Sequence, residues 1–145
     1  MDSIGKIEDE VVTEFGVFDD WTDKYEYIID IGKSLPPLED IYKKDENKVT
    51  GCQSQVWLSA EMKDGRIYYK ADSDAIITKG LIALLIRVLS GQKPEEVADA
   101  KLGFLDKIGM KEHLSPTRSN GLMSMIAHMK KYAEKAKMNQ PLSLN

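Results

Sequence analysis

The chain has 145 residues, one cysteine, two histidines and a formal net charge of −4. That length suits one domain with a core of its own, and lysines interleaved among a surplus of acids give no basic field for a nucleic-acid backbone. A solitary cysteine excludes an internal disulfide, a CxxC redox pair and a multi-thiolate metal or cluster site built from this chain alone.

The first ten residues carry no basic segment followed by an apolar one, and no apolar run reaches membrane-spanning length. With a free thiol, this predicts a cytoplasmic protein with no membrane partner. Ile4, Ile7, Val11, Val12 and Phe15 recur at helical spacing and predict an amphipathic helix ending near Gly16. Asp19 or Asp20 caps a second helix whose buried face carries Trp21, Tyr25, Ile28 and Ile29, closed by Gly32 and Leu35-Pro36-Pro37.

From Lys48 the period falls to two. Asp64-Gly65 is a two-residue hairpin signal, and folding the chain about it sets Met62 opposite Ile67, Ala60 opposite Tyr69 and Leu58 opposite Ala71 on one face. Glu61 with Tyr68 and Ser59 with Lys70 fall on the other face, so register and burial agree. Val49 is the candidate start of a third, antiparallel strand, which would put Gly51-Cys52 near the tip joining two strands.

Asp72, Ser73 and Asp74 are N-cap candidates for a very apolar helix carrying Ile76, Ile77, Leu81, Ile82, Leu84, Leu85 and Val88 and stopped by Gly91. A short helix follows from Pro94, and another lies within Gly103 to Ile108. Ser115 caps the last helix with Pro116 at its first position, and Leu122, Met125, Ile126 and Met129 form its apolar face. The fold class expected is α+β: a small antiparallel sheet of about three strands with several helices on one face. It forms a single domain over 1–138 with a flexible tail over 139–145.

Cys52 stands in Gly51-Cys52-Gln53-Ser54-Gln55-Val56-Trp57, a polar loop running into a strand. A structural cysteine more often sits inside an apolar run; polar, flexible neighbours suit a loop that can open. Reaction requires the thiolate, which nearby positive charge favours. Lys48 is local, and Arg118 could be brought close by the fold. Arg118 falls in the first turn of the last helix, where a cation opposes the dipole, so it either satisfies Asp72 or Asp74 or meets an anion or a partner. Asp72 and Asp74 read most simply as helix caps. Gln53 and Gln55 either orient the loop or are only solvated. The histidines, His113 and His128, are isolated and lack metal-ligand spacing. A Cys52/His113 dyad for hydrolysis or acyl transfer, with Asn120 orienting, is the sharpest rival. Against it, no oxyanion-hole motif accompanies the cysteine, which enters a strand rather than a helix. A non-covalent regulator with Cys52 as bystander is the third alternative.

The blocks Trp21-Thr22-Asp23-Lys24-Tyr25-Glu26-Tyr27-Ile28-Ile29, Leu35-Pro36, Gly51 to Trp57, Asp72-Ser73-Asp74-Ala75, Lys79-Gly80-Leu81-Ile82-Ala83 and His113 to Leu122 span most of the chain. In this order and spacing they resemble the SufE family. The resemblance implies a sulfur acceptor and carrier for iron-sulfur cluster assembly, working as a partner rather than as a stand-alone enzyme. Such a protein stimulates a pyridoxal-phosphate cysteine desulfurase (SufS-like), receives its persulfide sulfur on Cys52 and passes it to an assembly scaffold (SufB-like). It carries no metal or cofactor of its own. Gly51, Gln53, Asp74 and Arg118 would form the supporting loop or partner surface, and homodimerisation is left open. With no second cysteine to resolve it, a Cys52 persulfide cannot be discharged internally as hydrogen sulfide plus a disulfide.

Overall fold

Two amphipathic helices open the chain in the computed structural model, which describes residues 2–142. Helix α1, Ile4–Phe15, starts where the Ser3 hydroxyl accepts from the Lys6 N–H and buries Val11 and Phe15. Helix α2, Trp21–Lys33, starts where the Asp20 carboxylate accepts from the Asp23 N–H at 2.9 Å and buries Ile28 and Gly32. Both starts satisfy amide donors that a helix end leaves unpaired.

Strands β1, Val56–Lys63, and β2, Arg66–Ser73, pair about the Asp64-Gly65 turn in the expected register, with Leu58 opposite Ala71 and Ala60 opposite Tyr69. Among the described residues the sheet has two strands, not about three. The upstream segment contributes a single bridge, Lys48 to Trp57, with the Val49 N–H donating to the Val56 carbonyl. A 3-10 turn at Asp45–Asn47 precedes it and the turn at Gly51 follows, so too few extended residues remain to build a ladder.

Helix α3, Ile76–Leu89, runs through the core with Leu81, Leu84, Leu85, Val88 and Leu89 buried. Its cap differs from expectation: the N-cap is Ala75, with no side-chain cap, because Asp72 and Asp74 are engaged elsewhere. Helices α4, Pro94–Asp99, and α5, Phe104–Lys107, are short. Helix α6, Pro116–Lys137, begins where the Ser115 hydroxyl accepts from the Arg118 N–H, with Pro116 at its first position. Past it, the Gln140 N–H donates to the Lys135 carbonyl and Leu142 is half-buried against the core. Residues 143–145 of the expected tail lie outside the described residues.

Helices cover the apolar face of the hairpin. The Tyr69 hydroxyl donates to the Met129 carbonyl on α6 at 2.6 Å, and the Tyr132 hydroxyl donates to the Leu58 carbonyl at 3.1 Å. The other face meets irregular chain: Lys43 lies over the Trp57 ring at 5.6 Å and Lys70 over the Tyr42 ring at 5.3 Å. On the far side of the core, Arg87 of α3 forks onto the Glu14 carboxylate of α1 at 2.8 and 2.5 Å. The Tyr27 hydroxyl of α2 donates to the same carboxylate. Three helices are thereby tied by one bidentate, charge-assisted contact.

Candidate functional site

The segment Thr50 to Gln55 crosses α6 before entering β1. Its turn favours glycine on two counts: Gly51 has φ +89°, and a Cβ there would lie 2.4 Å from the Ser124 hydroxyl of α6. An L side chain would meet backbone strain, and the Ser124 hydroxyl would have to turn away to admit it. The root of the loop is held on both sides. Val49 bonds Val56, and Asp74 clasps Gln55, its carboxylate accepting from the Gln55 N–H at 3.0 Å while its own N–H donates to the Gln55 carbonyl at 3.3 Å. Asp74 therefore serves the cysteine loop instead of capping α3.

Between these anchors Cys52 is half-buried, its Sγ 3.6 Å from the Gly121 carbonyl oxygen of α6. It faces a cavity of about 750 Å³ whose inner wall includes Ile29, Leu81, Ile82, Leu85, Leu122 and Met125. Gln53, Asp74 and Arg118 line the same cavity, so four of the five expected site residues share it. The fifth, Gly51, forms the turn beside it. Ile76, also a lining residue, is 66% exposed, an apolar lip at the start of the core helix.

Burial pushes the Cys52 thiol pKa up. Taking the thiolate out of water is costly, and among the described residues no neighbouring charge offsets the cost. In this position the sulfur is kept protonated, the form that does not attack disulfides. Alkylation of Cys52 by iodoacetamide should therefore reach half its maximal rate at a higher pH than alkylation of a free cysteine. A midpoint at or below the free value, measured on the isolated protein, would show that the thiol is not desolvated.

Arg118 is exposed at the cavity, and among the described residues its guanidinium makes no ion pair with Asp72 or Asp74. Asp72 is taken by Lys43 at 3.5 Å and Lys79 at 3.4 Å, and accepts from the Ser73 N–H at 2.8 Å. Burial works to raise this carboxyl, but hydrogen bonds from Ser73 and Leu38 and the charge of Lys79 outweigh it and hold the pKa below its usual value. The scaffold reading of Arg118 as a buried partner of these acids thus loses its contact.

The structure does not bring His113 into the site. Its ring stacks on Trp21 at 4.1 Å, its Nδ1 lies 2.9 Å from the Gly109 carbonyl, and it is not a lining residue of the Cys52 cavity. The dyad reading loses its base. His128 is half-buried and reaches the loop, its Nε2 3.4 Å from the Thr50 hydroxyl and its Nδ1 2.7 Å from the Ser124 carbonyl. Gly121, Ser124 and His128, on successive turns of α6, are absent from the expected site. The small residues Gly121 and Ser124 one turn apart are the available signal, since such a face lets another backbone approach closely. Among the described residues no group of three or more His, Cys, Asp or Glu could hold a metal ion.

A family model described as SufE, Fe-S metabolism associated domain, matches residues 9–133. An uncharacterized SufE-like protein of Rhizobium meliloti (strain 1021) is 41% identical over 132 residues, 87% of this chain and 94% of that protein. An uncharacterized SufE-like protein of Synechocystis is 38% identical over 82% of this chain and 75% of its own length. SufE-like protein 1, chloroplastic/mitochondrial, of Arabidopsis thaliana is 45% identical over 76% of this chain, which corresponds to 30% of that longer protein. The solution structure of a hypothetical protein from Thermus thermophilus superposes with a TM-score of 0.76 over 91% of this chain and 96% of its own, at 20% identity, a likeness of fold.

Proposed function

The chain belongs to the SufE family, and from that premise we propose that it accepts sulfur on Cys52 from a pyridoxal-phosphate cysteine desulfurase (SufS-like) and carries it to an iron-sulfur assembly scaffold (SufB-like). The observation that carries this reading is the placement of the only cysteine: half-sheltered, at a cavity, on a loop anchored at both ends. A carrier needs a thiol that is reachable by a partner and withheld from other oxidants and reductants.

In the transfer, the Cys52 thiolate attacks the outer sulfur of the desulfurase persulfide. The new bond is Cys52 Sγ to that sulfur; the bond broken joins it to the desulfurase cysteine, which leaves as thiolate. One disulfide-type bond replaces another, so no external oxidant or reductant is needed. Because burial holds the thiol protonated, the attack requires the loop to turn outward, where water or a partner's cation stabilises the thiolate. Turned back, the persulfide would be shielded by the apolar wall of Leu81, Leu122 and Met125 against reduction and over-oxidation.

Clearing the desulfurase of its persulfide frees it for the next turnover, so the protein is expected to raise the rate at which a cysteine desulfurase consumes cysteine. No rise at saturating protein would overturn the proposal. Arg118, exposed and without an ion pair among the described residues, is read as a partner contact. Arg118→Ala should lower that stimulation while shifting stability by only about 0.5 kcal/mol, the usual scale for a surface charge. A large fall in melting temperature with normal stimulation by the folded fraction would reassign it to the scaffold. Sulfur transfer on Cys52 needs a thiol that stays reduced, which supports a reducing compartment, and we read that compartment as the cytoplasm. No helix among the described residues is long and apolar enough to cross a membrane.

A further inference from the structure

We propose that Thr50 and His128 form a latch that keeps Cys52 turned inward, and that releasing it is the event by which the thiol becomes available; the proposal deepens the sulfur-carrier reading and rests on it for its purpose, though not for its geometry. The loop meets one face of α6 at three successive levels. Cys52 Sγ lies 3.6 Å from the Gly121 carbonyl, Gly51 packs over Ser124, and the Thr50 hydroxyl lies 3.4 Å from His128 Nε2. The root of the loop is fixed separately by the Val49 to Val56 bond and the Asp74 to Gln55 clasp. The tip can therefore leave α6 while its two ends stay in place.

Of the three contacts, the first is a weak thiol donor to a carbonyl, and the second is a packing contact. The third is a long polar contact, at 3.4 Å, to a ring that is itself held by a shorter one. The Ser124 carbonyl only accepts, so its 2.7 Å contact makes Nδ1 the donor and sets the ring's orientation. In the neutral ring Nε2 then accepts from the Thr50 hydroxyl. His128 is thus a positioning residue: it acts on Cys52 through the backbone two residues away and touches neither the sulfur nor its donor. An incoming partner that competes for Thr50 or lifts Gly51 off Ser124 would free the tip.

The test is the rate of Cys52 alkylation by iodoacetamide on the whole protein, read beside the melting temperature. His128→Ala and Thr50→Val should each raise the rate about three- to tenfold, the equilibrium effect of losing one net hydrogen bond, with little change in melting temperature. The double variant should be no faster than the faster single one, since both remove the same bond. His128→Gln, whose amide can reach the Thr50 hydroxyl, should stay near the wild-type rate. Unchanged rates in both single variants, or increases that follow a fall in melting temperature, would overturn the latch. Thr50 is exposed, so Thr50→Val keeps the test decisive if His128→Ala fails to fold. Alkylation involves no desulfurase: failure to load sulfur would overturn the carrier reading and leave the latch result standing.

Discussion

Gly80→Ala is expected to destabilise the fold by about 3 kcal/mol or more, at the upper end of what overpacking usually costs. Helices α2 and α3 cross in backbone contact. A Cβ on Gly80 would lie 2.2 Å from the Ile28 carbonyl oxygen and 2.5 Å from the Ile28 Cγ2, and one on Gly32 would lie 2.8 Å from the Gly80 nitrogen. The collision is with main chain, so no rotamer change relieves it, and the two helices must separate. Separation matters to the site because Ile29 of α2 and Leu81, Ile82 and Leu85 of α3 all line the Cys52 cavity. Chemical denaturation would measure the loss. Gly5→Ala on α1, where nothing lies within 4 Å, is the control and should be neutral or stabilising. Equal midpoints for the two variants would show that the crossing tolerates a methyl group.

This crossing also marks the limit of what the sequence makes legible. The Asp64-Gly65 turn, the register it implies, the Asp20 and Ser115 caps and the apolar face of α6 are local consequences of neighbouring residues, and all appear as expected. Gly80 lies inside an apolar run that reads simply as helix; only the tertiary contact explains why a poor helix former stands there. A change of period at Lys48 predicts the third strand, but strand length depends on how many residues the flanking turns leave extended. Asp74 reads as a helix cap because capping is a local habit, whereas its partner, Gln55, lies 19 residues away. Within the site, Cys52, Gln53, Asp74 and Arg118 are legible through motif and resemblance. His128 and Ser124 are not, because their role exists only once α6 lies under the loop.

The largest functional effect is expected from Cys52→Ser. Serine preserves the size and the loop conformation, and its hydroxyl can still face the Gly121 carbonyl, but an alcohol neither attacks a persulfide at neutral pH nor holds a second sulfur. Since Cys52 is the only cysteine in the chain, no other side chain can take over. A regulator acting without covalent chemistry would stimulate a desulfurase equally well with either residue, so this substitution separates carrier from bystander. The decisive measurement is intact-mass spectrometry of the protein after incubation with an active cysteine desulfurase and free cysteine. The wild type should gain the mass of added sulfur and lose it on treatment with reductant, and Cys52→Ser should gain none. An unmodified wild-type mass while the desulfurase is turning over would contradict the account.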